Sequence, residues 1–355
     1  MADAFPEAGP LGEARPKARH PAVRALSNRP FRLFFIGNLI SQTGTFLQSA
    51  ALAVLVFDLT GTNAAVGLTN AATFLPVLAL ALVGGELADR FNRRRLFLVT
   101  QVVSTIAVAA LAALTAAGRV TPGWIYALAG VLGLCYAVAI PTMHSLIPSL
   151  VPPADLGPSI GLTSVTFNAA RIIGPAVASA AIAGLGFAGA FGLNALSFVP
   201  MIVALALIRV TPRAADRPRV SLVEGVRYAW REPAVRGMLL AVASIAFAFD
   251  PVMTLAPGFA RRVFGHSGAA APVLMAAFGV GSVLSAAFLG RMFRRPEANV
   301  RRGSATLFLL GAGMAGFALS PTFEVGVAML LVAGLGSLSS VTLFTTGLQQ
   351  IVSED

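Results

Sequence analysis

The chain has 355 residues, of which 56% are hydrophobic and only 12% charged, with 35 glycines and a net charge of +11. Its mean hydropathy is +0.80. A soluble domain would alternate apolar and polar positions along its elements, and this composition excludes that class; the single cysteine, Cys135, also excludes an intrachain disulfide and a thiolate metal site.

Residues 1–30 are polar and rich in Pro, Ala and Arg, with no apolar stretch of signal-peptide length. They are expected to be a disordered tail. From there the chain repeats long uncharged runs. A bilayer core about 30 Å thick needs about 20 residues of helix rising about 1.5 Å each. Ten runs meet that need, at about 33–57, 64–85, 96–116, 123–147, 158–183, 188–208, 237–258, 270–290, 303–320 and 324–346. The expected fold class is therefore all-α, a polytopic membrane bundle of about ten transmembrane helices. The long basic stretch 209–236 divides it into a six-helix bundle, 31–208, and a partial bundle of four helices, 237–355. Within that linker, "SLVEGVRYAWREP" places Leu222, Val226 and Trp230 opposite Glu224, Arg227 and Arg231. This is either a helix lying in the membrane interface or a solvated linker helix.

The basic residues lie unevenly about these spans. Numbering loops alternately from the N-terminus, side one holds 22 of the 26 Lys and Arg, and side two holds Arg119, Arg261 and Arg262. Arg171 falls inside the fifth span. By the positive-inside rule, side one is cytoplasmic and both termini are inside the cell. The net charge thus orients the chain in a lipid bilayer and gives no reason to expect nucleic acid. His20, His144 and His266 are too scattered for a metal cluster, no nucleophile–base or carboxylate pair stands out, and no cofactor, metal or enzymatic chemistry is expected.

"GGELADRFNRRR", residues 84–95, puts six charges into the ten positions from Glu86 to Arg95, between the second and third spans. The stretch resembles the signature loop of the major facilitator superfamily, G-x-x-x-D-R-x-G-R-R/K. Gly85, Asp89, Arg90, Arg93 and Arg94 fall on its fixed positions, and Asn92 replaces the usual glycine. Asn tolerates a left-handed turn better than other side chains, so the turn is expected to survive. The resemblance implies a latch: Asp89 would face the N-terminal end of a helix in the opposite half, and the arginines would pair with carboxylates or lipid headgroups. A weaker repeat, "FLGRMFRRP" after the eighth span, supports two related halves.

In the fifth span, the exporter pattern G-x8-G-x3-G-P-x2-G-G is matched by Gly161, Ala170, Gly174, Pro175, Ala178 and Ser179. It implies export rather than import, with a helix that bends and packs against the other half. Together with "FRLFFIGNLISQTG", "FDLTGTNAAVGL" and "NAARIIGPA", the chain looks most like the bacterial exporter branch containing siderophore (enterobactin) and macrolide efflux proteins. That family has twelve helices, and the proposed partner of Asp89 lies in an eleventh; ten are read here.

A charge at mid-bilayer costs about 2.5–3.5 kcal/mol on insertion scales, so it is expected to face a cavity or a partner. Arg171 and Asp250 are the two candidates, and both have structural alternatives, as a strut and as the cap of a turn before Pro251. Arg171 shares a helical face with Ser164, Asn168 and Pro175. The first span carries a neutral stripe, Asn38, Gln42, Thr45 and Ser49, which is either cavity-lining or an interhelical hydrogen-bonding seam. Trp124, Tyr136 and His144 are read as packing or interface residues. The sequence therefore points to a secondary transporter in the cytoplasmic membrane that exports small amphiphilic molecules of drug or siderophore type by alternating access, coupled to protons through Asp250. The alternatives are an importer of the same fold and a truncated, non-transporting binding or assembly subunit.

Overall fold

The computed structural model describes residues 21–208, 254–267, 270–292 and 299–354, with scattered positions between 227 and 252. Among these residues every regular element is a helix. In chain order they are α1 (Pro21–Ser27), α2 (Arg29–Thr60), α3 (Asn63–Arg90), α4 (Arg93–Ala116), α5 (Pro122–Leu146), α6 (Leu156–Leu207), α7 (Ala271–Met292), α8 (Asn299–Ala318) and α9 (Phe323–Glu354). Residues 254–258 are helical and run into a π turn, Phe259–Val263.

Local chemistry sets the corners. Gly61 ends α2 in the left-handed region (φ 67°), where its N–H reaches back to the Phe57 carbonyl, the usual way a glycine closes a helix. One residue later, Thr62 caps α3 by accepting the Ala65 N–H at 3.3 Å. Thr121 caps α5 in the same manner, followed by Pro122, whose missing N–H costs nothing in a first turn.

A straight helix of the 52 residues in α6 would be about 78 Å long, more than twice the hydrocarbon thickness. Instead α6 is two crossings joined at Gly186, whose φ of 67° and ψ of −178° only glycine occupies without strain. The break falls between the spans expected at 158–183 and 188–208. Each other expected span matches one described helix, except 237–258, which falls largely outside the described residues. Among the described residues, six stretches are long and apolar enough to cross a bilayer, the longest being Pro153–Leu207. Leu78, Phe308 and Leu319 are about four-fifths exposed (80%, 79% and 82%), as expected where the solvent is lipid.

Small residues set the helix spacing. A Cβ at Gly37 would lie 2.9 Å from the Met201 Cα, and one at Gly44 would overlap Ser197 and Asn194, so α2 seats the second crossing of α6 directly against its backbone. Gly133 allows the same approach between α5 and α3, and Gly281 and Gly334 between α7 and α9. One apolar core runs from α2, α5 and α6 into α7 and α9.

The tail expected over 1–30 is helical from Pro21 onward. Arg24 pairs with Asp155 and donates to the Ala154 carbonyl at 3.1 Å, while the Asn28 amide donates to Asp155 at 3.1 Å. Ala25 is fully buried. These contacts pin α1 under the connector that leads into α6. The hydrogen bond from the Arg24 guanidinium holds the Asp155 carboxyl below its ordinary range.

Candidate substrate cavity

Between α2, α3, α4, α5 and α6 lies a cavity of about 400 Å³. One face of α2 supplies Asn38, Gln42, Thr45 and Ser49, the stripe expected from the sequence, with Ser41 and Gln48 beside it. The other walls add Asn70 from α3, Gln101 and Ser104 from α4, and Tyr136 and His144 from α5. Phe46, Phe74, Phe97, Phe167 and Phe198 present ring surfaces between these polar groups. A second cavity of about 240 Å³ shares Asn38, Gln42, Met143, His144 and Phe167 and is completed by Ser164 and Asn168 of α6, among others. The structure thus brings the first-span and fifth-span polar residues together.

Hydrogen bonds hold the polar wall in place. Thr45 donates to the Ser41 carbonyl at 3.0 Å. Ser41 donates to the Gln101 carboxamide oxygen at 3.4 Å. Asn194 donates to the Gln48 oxygen at 2.6 Å, and Ser197 donates to Asn194 at 2.9 Å. Gln48 and Asn194 are only 4% and 1% exposed, so this network is buried and its partners are needed. Tyr136 and His144, assigned to packing or the interface by sequence, are wall residues, and Gln48, Gln101 and Asn70 went unnoticed. Their signal was one polar residue per turn or two in an otherwise apolar span; only the fold shows that these positions converge.

Arg171 does not belong to either wall. It stands two turns beyond Ser164 on the same face, where α7 has replaced the cavity, with its guanidinium carbon 5.5 Å from the centre of the Phe278 ring. The next pair along, Ile172 and Gly279, is in close contact, so Arg171 marks the seam between α6 and α7. Asp250 lies outside the described residues. Gly174 packs against Phe46 and Leu47 of α2, within its own half rather than across to the other half as expected. Pro175 is buried within continuous helix, and the residue of α6 with non-helical backbone angles is Gly186. Gly161 faces open space.

The charged hinge departs from expectation at Asn92 and in the described partners of Arg93 and Arg94. Asn92 has φ −63° and ψ 107°, not the left-handed turn, and its side chain accepts the Arg95 N–H at 3.1 Å as the cap of α4. An extended residue leaves the first turn of α4 short of an acceptor, and the Asn carboxamide supplies it. Arg93 donates to the Ser145 carbonyl at 3.3 Å and Arg94 to the carbonyls of Leu205 and Ala206, the latter at 2.8 Å. Both arginines therefore serve the C-terminal ends of α5 and α6, where unpaired carbonyls and the helix dipole favour a cation. Gly85 lies in the last turns of α3. The side chains of Asp89 and Arg90 lie outside the described residues.

At the opposite end of the bundle the segment 254–263 meets α2 and α3. Asp58 and Arg261 pair at 2.6 Å. Arg262 donates to the Gly61 carbonyl and lies 5.4 Å over the Phe57 ring. Thr254 accepts the Asn70 amide at 3.0 Å.

A family model described as transmembrane secretion effector matches residues 21–354. The chain belongs to this family of major facilitator transporters. Among its relatives are the MFS-type transporter YfiS of Bacillus subtilis, 26% identical over 287 residues (78% of this chain, 67% of that one), and the enterobactin exporter EntS of Salmonella typhimurium, 26% identical over 335 residues (92% and 77%). The fold is also that of solved major facilitator transporters. An inward-facing, occupied bacterial homologue of the lysosomal transporter Spinster aligns with a TM-score of 0.68 at 16% identity (91% of this chain, 78% of that one). The nucleoside transporter NupG aligns with 0.64 at 12% (92% and 82%). The chain is accordingly a multi-pass membrane transporter.

Proposed function

We propose that this transporter exports a small amphiphilic molecule, of drug or siderophore type, across the cytoplasmic membrane by alternating access driven by protons, with both termini in the cytoplasm. The observation that carries the reading is the cavity of about 400 Å³, which combines amide, hydroxyl and ring surfaces in the middle of the helical bundle. Its volume lies within the range of about 300–1,000 Å³ common for small-molecule sites. A relative named for enterobactin export, similar along 92% of this chain, supports the outward direction and the cargo class. Gly85, Asp89, Arg90, Arg93 and Arg94 would form the latch that regulates closure at one end, and Asp250 would carry the proton.

Everted membrane vesicles test this reading. With an imposed proton gradient, vesicles containing the protein should accumulate enterobactin or a member of a panel of amphiphilic drugs, and a protonophore should abolish the gain. Asp250→Asn should keep substrate binding but lose uphill accumulation. Uptake only into right-side-out vesicles would reverse the direction, and gradient-driven transport by Asp250→Asn with unchanged pH dependence would remove Asp250 from the coupling.

A further inference from the structure

Asn70 takes part both in the cavity wall and in the contacts at the far end of the bundle. Its side chain lines the larger cavity, and its amide donates to the Thr254 hydroxyl at 3.0 Å. Thr254 lies on the segment 254–263, whose tip is tied down by the Arg261–Asp58 pair and by Arg262 on the Gly61 carbonyl. Seven residues separate Thr254 from Arg261, about 10 Å of helix. The segment therefore meets α2 and α3 at two levels, the tip and the cavity wall. Of these described contacts, the one at Asn70 is within reach of a molecule held in the cavity. An amide N–H on a neutral hydroxyl makes a modest bond. A carbonyl oxygen accepts that N–H as well, and an ionised oxygen accepts it more strongly.

We propose that Asn70 couples cargo to the closed end: an acceptor oxygen of the bound cargo takes the Asn70 amide from Thr254, and the loss of that contact loosens the segment 254–263. Occupancy of the cavity then favours opening of this end, and Asn70 selects cargo that carries an acceptor at its level. The proposal rests on the export reading and assigns a positioning residue to the same site. Cargo and Thr254 that compete for one amide are linked reciprocally, so removing the contact must strengthen cargo binding by the factor with which cargo weakens the contact. One neutral hydrogen bond shifts such an equilibrium about two- to tenfold.

The test reads the end and the cavity separately, on the full chain in lipid nanodiscs. Asn63→Cys, in a Cys135→Ala background, sits where Asn63 abuts the Gly258 backbone and outside the cavity lining, so its reaction rate with a maleimide reports loosening of the segment. Without cargo, Thr254→Val keeps the methyl group beside Gly67 and removes the acceptor; it should raise that rate about two- to tenfold. Enterobactin, whose carbonyl and catechol oxygens supply acceptors, should raise the parent rate by a similar factor and leave the Thr254→Val rate unchanged. Its affinity, with binding to empty nanodiscs subtracted, should rise about two- to tenfold in Thr254→Val and return to the parent value when Asn70→Ala is added. Thr254→Ser keeps the hydroxyl and should match the parent in every measurement, whereas loss of a merely structural contact would not strengthen binding. An unchanged cargo-free rate in Thr254→Val would show that Asn70 does not hold this end closed. Weaker enterobactin binding in that variant would show that cargo uses the contact intact, and either result overturns the proposal. Failure of the parent to bind enterobactin, with the cargo-free rate still raised by Thr254→Val, would count against the siderophore cargo of the export reading and reduce Asn70 to a closing contact.

Discussion

Asn92 shows how a departure from a family pattern can preserve its purpose by another route. The sequence suggested that Asn replaced glycine to keep a left-handed turn; the residue instead caps α4 from an extended conformation. Glycine is itself an acceptable N-cap, so one reason covers both residue types. The expected consequence is specific. Asn92→Ala should lower stability by about 1 kcal/mol, whereas Asn92→Gly should cost only about a few tenths. Thermal unfolding of the purified variants separates the two, and equal loss in both would show that the Arg95 N–H does not depend on the cap. Arg93 and Arg94 teach a related lesson. Their charge was legible, but their partners were not, because backbone carbonyls at the ends of α5 and α6 leave no mark in the sequence.

At the level of elements, the helices were legible because runs of about 20 apolar residues have few other uses. The cavity was legible only in part. Asn38, Gln42 and Thr45 repeat on one face of a single helix and could be read as a stripe, whereas Gln101 and Tyr136 stand nearly alone in α4 and α5. Arg171 was read onto the cavity face correctly as to direction, but its height along α6 decides what it meets, and α7 covers that level. The break in α6 belongs to this scale too. Gly186 occupies a conformation that costs other residues about 1–3 kcal/mol, while Gly184, two residues earlier, is helical with open space where a Cβ would go. Gly186→Ala should therefore reduce folded yield and thermal stability, and Gly184→Ala should leave both unchanged or slightly improved. Fluorescence size-exclusion of detergent extracts after heating reads both. A harmless Gly186→Ala would mean that the two crossings tolerate continuous helix at this point.

For the whole molecule, Arg261 and Arg262 stand, with Arg119, on the side to which the sequence reading assigns few Lys and Arg. The structure supplies their reason. Arg261 pairs with Asp58, and Arg262 takes the carbonyl at the C-terminal cap of α2, so both tie the segment 254–263 to the first two long helices. In the proposed export cycle this end would open to release cargo, and these contacts would break. Asp58 and Arg261 side chains are 23% and 43% exposed, so water weakens the pair. An exposed pair of this kind contributes about 0.2–1 kcal/mol, and its loss can shift a two-state equilibrium by at most about fivefold. In a Cys135→Ala background, Thr69→Cys on the cavity wall reports opening through its reaction with an impermeant maleimide added from the Gly61 side. Arg261→Gln or Asp58→Asn should raise that labelling rate by about two- to fivefold, the range set by a pair of this strength. The exchanged pair, Asp58→Arg with Arg261→Asp, should bring the rate back toward that of the parent, since it restores attraction with the signs reversed. Unchanged labelling in both single variants would show that closure of this end rests on Arg262 and the apolar contacts around Phe57, and that the ion pair forms only after the helices have met.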